Sequence, residues 1–249
     1  MTTSVRTELQ PGERIDSLGL REWQIIQRGD EFRFALDSVL LAFFASVRPG
    51  ARVVDLGTGS GAVAFFLLAR GAGNVCGLDN NSRLTAMATR SASLNGMSGQ
   101  LSFSCGDVRQ IGSHFSGGCY DLVTANPPYR PLSGGRISSA AALAQARHEM
   151  TAGLRDFVRA AGFLLRNRGR FAMIHLPERL TDICLELREA GLEPKRLRLV
   201  HPFAGRPAKM LLVEAVKAAR PGLTVLPPLC VYQSPKEYCR EILGYYERD

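Results

Sequence analysis

A strand that runs straight into three alternate glycines, Asp55-Leu56-Gly57-Thr58-Gly59-Ser60-Gly61, narrows the choice of fold more than any other feature of this chain. Glycine reaches the positive φ that a tight strand-to-helix turn needs, and its missing Cβ lets a ligand lie against the backbone. The segments around this turn keep the alternation that a parallel sheet requires. Residues 53–56, 75–78, 101–105, 120–125 and 170–175 are predicted as strands. Helices over 61–70, 82–95 (closed by Gly96), 140–166 and 180–190 (capped by Gly191) come between most of them. Two later strands, 196–201 and 209–215, are separated only by residues 202–207, so they can pair antiparallel. The expected fold is α/β and doubly wound, with a seven-stranded, mostly parallel sheet and a late antiparallel pair.

Both ends extend this unit. Residues 11–33 alternate weakly around Ile15, Leu18, Leu20, Trp23, Ile25 and Ile26, with Gly29-Asp30 as a turn, which predicts a small hairpin; a helix over 37–47 follows. Residues 221–233 look extended, and 236–246 form a terminal helix. The expected division is therefore an extension over 1–47, a ligand-binding α/β domain over 48–220 and a C-terminal segment over 221–249.

Ligands of such sheets bind at the carboxyl ends of strands. Gly57, Thr58, Gly59 and Gly61, with Asp55 before them, form the candidate cradle. Asp79 closes the second strand 20 residues after Gly59, where a carboxylate can accept hydrogen bonds from ribose hydroxyls. Asp107 closes the third strand, placed for an adenine amino group. Asn80 and Val108, which follow these two aspartates, join the cofactor set, as does Asn126 after the fourth strand. The plainer reading of each aspartate is a helix cap or turn residue; their shared placement on consecutive strands favours a ligand. Gly57-x-Gly59-x-x-Ala62 is also a dinucleotide fingerprint, so the loop alone does not separate a nicotinamide cofactor from S-adenosylmethionine.

The tetrapeptide Asn126-Pro127-Pro128-Tyr129 does separate them. An amino group conjugated to a ring or carbonyl is a weak nucleophile because its lone pair is delocalised. Two acceptors set against its two hydrogens, the Asn126 side-chain oxygen and the Pro127 carbonyl, pull the nitrogen toward tetrahedral geometry. The prolines stiffen the backbone that aims the carbonyls, and Tyr129 stacks on the planar acceptor. Elsewhere, an Asn-Pro-Pro string would simply end a strand.

These ordered motifs resemble those of amino-methyltransferases of the Asn-Pro-Pro-Tyr type. Further stretches narrow the resemblance: Glu13-Arg14-Ile15-Asp16, Phe34-Ala35-Leu36-Asp37-Ser38-Val39-Leu40-Leu41, Ala146-Arg147-His148-Glu149, Leu199-Val200-His201-Pro202, Gly205-Arg206-Pro207-Ala208 and Leu226-Pro227-Pro228. Together, over roughly residues 11–245, they resemble the bacterial valine-tRNA adenine N6-methyltransferases, which modify the adenine beside the anticodon. The resemblance implies a Rossmann-like class I methyltransferase fold, S-adenosylmethionine as cofactor and tRNA as partner. It brings Phe34 and Asp37 toward the methionine end of the cofactor. Rival readings remain open. These are a glutamine N5-methyltransferase of protein release factors, which shares the clamp but carries a longer N-terminal helical region, and a ribosomal-RNA guanine N2-methyltransferase. A DNA adenine methyltransferase would need a separate recognition domain. A nicotinamide-dependent oxidoreductase explains the glycine loop but not the tetrapeptide, and a noncatalytic RNA-binding module explains only the charge.

That charge is uneven. Of the net +8, residues 1–125 contribute nothing (11 basic, 11 acidic), whereas 126–220 carry 17 basic against 8 acidic side chains. A basic surface after the catalytic tetrapeptide suits a polyanion, and Arg130, Arg136, Arg147, Arg206 and Lys209 are the candidate RNA contacts. Solvated arginines on helix faces are the plainer reading. The six cysteines and four histidines are scattered without a CxxC spacing, so reduced thiols and no metal are expected. The longest apolar runs, 39–47 and 62–69, are core-helix length, and the first ten residues lack a signal-peptide core; a cytoplasmic monomer is the expectation.

Overall fold

Central strands of a parallel sheet are covered on both faces, and the apolar runs read above take up that position in the computed structural model, which describes residues 8–29, 36–128 and 152–246. The chain order is β1 (Glu13–Ser17), β2 (Gln24–Arg28), α1 (Leu36–Phe44), β3 (Arg52–Leu56), α2 (Ala62–Ala69), β4 (Asn74–Asp79), α3 (Ser82–Leu94), β5 (Leu101–Cys105) and β6 (Tyr120–Ala125). Then come α4 (Leu154–Leu164), β7 (Leu165–His175), α5 (Leu180–Glu189), β8 (Leu192–His201), β9 (Met210–Lys217), four short strands and a terminal helix. The sheet order β8-β9-β7-β6-β3-β4-β5 contains all seven expected strands. The β7–β9 and β8–β9 pairs are antiparallel; β6, β3, β4 and β5 run parallel. The order reverses at β3, which lies between β4 and β6, so the crevice for a ligand opens over the carboxyl ends of β3 and β6.

One face of the sheet is covered by α1 and α2. Helix α2 is buried from Ala62 through Leu68, as its uninterrupted apolar sequence requires. The other face is covered by α4 and α5, with Phe157, Val158, Leu164, Ile183 and Leu187 in its core. Glu214 of β9, level with Ala172 of β7, is fully buried; it accepts hydrogen bonds from the Ser46 N–H and hydroxyl at 2.7 and 2.9 Å and pairs with Arg170 at 2.8 Å.

The N-terminal hairpin forms, but it reverses over residues 18–23, where the Leu18 N–H reaches the Trp23 carbonyl, and not at Gly29. It lies on α3: the Ile26 N–H donates to Ser91 Oγ at 2.9 Å, Asn95 exchanges hydrogen bonds with Gln24 at 2.9 and 2.7 Å, and Arg90 pairs with Glu13 at 2.5 Å. Three other expectations are corrected. The helix expected to reach residue 166 stops at Leu164, because Leu165 turns extended and pairs with Tyr120. The next pair is Leu122 with Arg170, so β7 bulges outward, with Arg168 at φ 64°. Residues 221–233 are not merely extended: β10 (Thr224–Val225) and β11 (Leu229–Cys230) both add in parallel to β8, widening the sheet to nine strands. The terminal helix is shorter than expected, because β12 (Tyr232–Ser234) and β13 (Glu237–Tyr238) pair antiparallel before α6 (Arg240–Tyr246) begins. Tyr245 of α6 stacks on Phe43 of α1, with ring centroids 4.5 Å apart. All six cysteines are free, and no described helix is long and apolar enough to cross a membrane.

Candidate active site

The turn after β3 carries its glycines in the left-handed region, with φ of 68° at Gly57, 56° at Gly59 and 90° at Gly61. Each serves a different approach. A Cβ on Gly57 would stand 3.2 Å from the Phe157 ring, and one on Gly61 would stand 2.9 Å from Phe103. A Cβ on Gly59 would meet nothing within 4 Å, because that side of the backbone faces the open cavity. The loop is tied to the next strand by Asp79, whose Oδ2 accepts from the Gly59 N–H at 2.8 Å while Oδ1 accepts from the Asn81 N–H at 2.9 Å. A carboxylate oxygen accepts more than one hydrogen bond, so both oxygens keep capacity for ribose hydroxyls.

A cavity of about 330 Å³ opens above this loop. Gly57, Thr58 and Gly59 form its floor; Asp79, Asn80, Asp107 and Val108 lie along one side, and Asn126 and Pro128 stand at the other. Val63, Leu78 and Leu84 add apolar surface. This is an amphipathic slot with a bare-backbone floor and carboxylates at one end, which fits a nucleoside bearing a short polar chain, as S-adenosylmethionine is built. Ser38, Ala152 and Phe157 also line it and were not singled out from the sequence. Phe157 belongs to a helix that starts nearly 100 residues after the glycine loop, and nothing in the local pattern of α4 distinguishes it from a core residue.

Asp107 realises the cap reading while lining the cavity. Its Oδ1 accepts from the Arg109 N–H at 2.8 Å, and its carboxylate pairs with the Arg109 guanidinium at 2.5 Å, which holds it below the usual carboxylate range. Asp55 is not in the lining. It lies under the loop, 1% exposed, with Oδ1 accepting from the Thr124 hydroxyl at 2.7 Å. Its Oδ2 and the Thr58 Oγ1 are buried without a hydrogen-bond partner. Burial pushes the Asp55 carboxyl up to about 6, against the opposing hydrogen bond from Thr124. Gly61 likewise lies back from the lining, against Phe103 and Ala88.

Asn126 leaves β6 at the rim of the cavity. Its Nδ2 donates to Asp37 Oδ2 at 2.9 Å, and Asp37 Oδ1 accepts from the Ser38 N–H at 2.8 Å. An ionised carboxylate only accepts, so the amide must turn its nitrogen toward Asp37. The Asn126 carbonyl oxygen is thereby directed away from Asp37. Pro127 is buried and Pro128 exposed. Arg206 and Lys209 are exposed in the loop between β8 and β9. Phe34, Tyr129, Arg130, Arg136 and Arg147 fall outside the described residues. Among the described residues no group of three or more His, Cys, Asp or Glu gathers as a metal site would need.

Residues 53–145 match the family model described as a methyltransferase domain. The solved structure of a predicted O-methyltransferase from Agrobacterium tumefaciens superposes with a TM-score of 0.68 at 22% identity, over 84% of this chain and 95% of that one, which shows a common fold. A curated tRNA1(Val) (adenine(37)-N6)-methyltransferase of Porphyromonas gingivalis is 28% identical over 80% of each chain. One of Parabacteroides distasonis is 31% identical over 191 residues, 74% of this chain and 78% of that protein. At that identity and coverage the chain belongs to the family of tRNA1(Val) (adenine(37)-N6)-methyltransferases.

Proposed function

We propose that this protein transfers a methyl group from S-adenosylmethionine to the N6 amino group of an adenine in tRNA, the adenine beside the anticodon of a valine tRNA. The observation that carries this reading is the Asn126 amide, oriented by Asp37 at the edge of the cofactor slot. The cofactor, when bound, supplies an electrophilic methyl on a sulfonium. The chain's own residues position the acceptor. Asn126 Oδ1 and the Pro127 carbonyl accept the two hydrogens of the adenine amino group and bring its lone pair toward the slot. Holding the two reactants in near-attack geometry is worth roughly 7–11 kcal/mol of the barrier. The amino nitrogen sheds its proton after the methyl has moved, so the site needs no strong base.

On this reading Asp79 holds the ribose and also keeps the Gly59 N–H in place. Asp79→Ala weakens S-adenosylmethionine binding roughly ten- to a hundredfold, as expected for lost charge-assisted hydrogen bonds of about 1.5–3 kcal/mol. Titration calorimetry checks this, and unchanged affinity removes the ribose role. The RNA reading makes a separate demand. Arg206 and Lys209 project from the carboxyl-end side of the sheet, where a splayed base reaches Asn126. Phosphate contacts release counterions, so reversing both charges lowers tRNA affinity and flattens its dependence on salt, with cofactor binding unchanged. The substrate itself is decided by mass spectrometry of tRNA nucleosides from a strain lacking the gene. Loss of N6-methyladenosine from the valine tRNA is expected; intact N6-methyladenosine with an unmethylated release-factor glutamine would replace this function with the protein-substrate one.

A further inference from the structure

Three aromatic rings from two separate segments line up beyond the end of β8. Phe203, in the loop to β9, lies 5.5 Å from Tyr232 at an interplanar angle of 34°. Tyr232 stacks on Tyr238 across the β12–β13 hairpin at 5.2 Å and 13°. All three are half-buried. The tyrosine pair on its own is an ordinary cross-strand contact that closes the hairpin against the core. Phe203 is different, because it comes from a loop that turns at Gly205, φ 73°, and is braced by His201 Nδ1 against the Arg206 carbonyl at 2.6 Å. The loop therefore holds an aromatic ring at the end of the stack where a polar residue would expose less apolar surface.

The register locates this stack relative to the reaction. Ala125 is level with Met173, Met173 with Val213 and Val213 with Leu197. Asn126 is one residue past this level, and His201 is four past it, on a strand that runs in the same direction. At ~3.3 Å per residue and ~4.8 Å per strand, His201 stands about 10 Å higher than Asn126 and about 14 Å to its side, and the aromatic rings lie beyond it. That is a span of a few nucleotides along an unpaired RNA strand. Arg206, Lys209 and Lys236 are exposed around the rings, and none takes part in an ion pair among the described residues; Glu237, the nearby carboxylate, accepts from Ser234 Oγ at 2.7 Å.

We infer that Phe203, backed by Tyr232 and Tyr238, is a stacking platform for an unpaired nucleobase a few nucleotides along the strand from the target adenine, while Arg206, Lys209 and Lys236 take the adjoining phosphates. Single-stranded RNA is recognised through bases laid on aromatic faces beside a basic track. An acidic protein segment would use the cations but has no use for a ring stack above them. The inference rests on the tRNA reading above and adds the place where a second base is held.

The test uses the full-length protein and an anticodon stem-loop RNA in which a fluorescent aminopurine replaces each loop base in turn. With the native protein, one reporter a few nucleotides from the target adenine is quenched on binding. Phe203→Ala abolishes that quenching and raises KM for the RNA roughly tenfold, with kcat, cofactor affinity and salt slope unchanged. Phe203→Leu, which keeps apolar volume but removes the π face, behaves like Phe203→Ala, and Phe203→Trp restores both signals. Native quenching and KM in the alanine and leucine variants would overturn the platform and leave the methyl-transfer reading standing. A native protein that neither binds nor methylates the stem-loop would overturn the tRNA reading itself.

Discussion

Asn126→Ala is expected to leave S-adenosylmethionine affinity near that of the native protein and to lower turnover at least about a hundredfold, as removal of one transition-state hydrogen-bond acceptor does elsewhere. The split follows from geometry. On the proposed reading the cofactor rests on the bare backbone of Gly57 and Gly59 and on Asp79, which line the slot, whereas the Asn126 amide serves the acceptor nitrogen, with its own nitrogen tied to Asp37 at 2.9 Å. Asp37→Ala therefore lowers turnover as well, by less, because the amide keeps its oxygen but loses the partner that orients it. Single-turnover methyl transfer with saturating cofactor checks both. Retained turnover in Asn126→Ala would take this residue out of the reaction.

Asp55→Asn is expected to stabilise the protein at neutral pH, by up to about 3 kcal/mol. Burial raises the native carboxyl from about 3.8 to about 6, and a tenfold gain in proton affinity corresponds to about 1.36 kcal/mol. A carboxyl whose pKa is raised by folding binds its proton more tightly in the native state. Its contribution to stability is therefore complete below about pH 3.8 and is lost as pH rises through about 6. Asparagine has no proton to lose and keeps that contribution. Its oxygen accepts from Thr124 as the carboxylate does. Urea unfolding of both proteins from pH 4 to pH 8 should show curves that nearly meet at pH 4, diverge between pH 4 and pH 6 and stay apart at higher pH. Equal stability at pH 8 would mean that the buried carboxylate costs nothing. The native residue is understandable if its negative charge under the loop favours a sulfonium over a neutral sulfur, and the ratio of S-adenosylmethionine to S-adenosylhomocysteine affinity should fall in the variant.

The parallel strands and the glycine turn were legible because their constraints are local. Val53, Val54 and Leu56 must be apolar to sit in the sheet centre, and a turn at φ 56–90° all but requires glycine. Asp79 and Asp107 could be singled out because one ends β4 and the other follows β5 by two residues, and the structure puts both in the lining of the slot. Pairings made across long separations were not legible. Nothing near Asp37 shows that it meets Asn126 89 residues later. Nothing near Phe157 shows that its ring closes over Gly57. The bulge in β7 was hidden because 165–170 is rich in arginine and looks like a helix end, whereas the burial of Leu165 and its pairing with Tyr120 pull it into the sheet. The Pro-rich tail was read as extended; that its short runs would join the edge of β8 depends on which edge was left open, which only the assembled sheet determines.

The hairpin on α3 and the Phe43–Tyr245 stack bear on how the chain folds as it leaves the ribosome. The hairpin emerges first, yet Ser91 and Asn95, which hold its backbone, are made 65 and 71 residues after their partners. A two-stranded hairpin alone is marginal in water, so Ile25 and Ile26 stay uncovered until α3 has formed. Helix α1 can pack on α2 early, through Phe43 and Phe66, but the face of Phe43 that stacks on Tyr245 stays open until residue 245 has been made, leaving apolar surface for chaperones to meet.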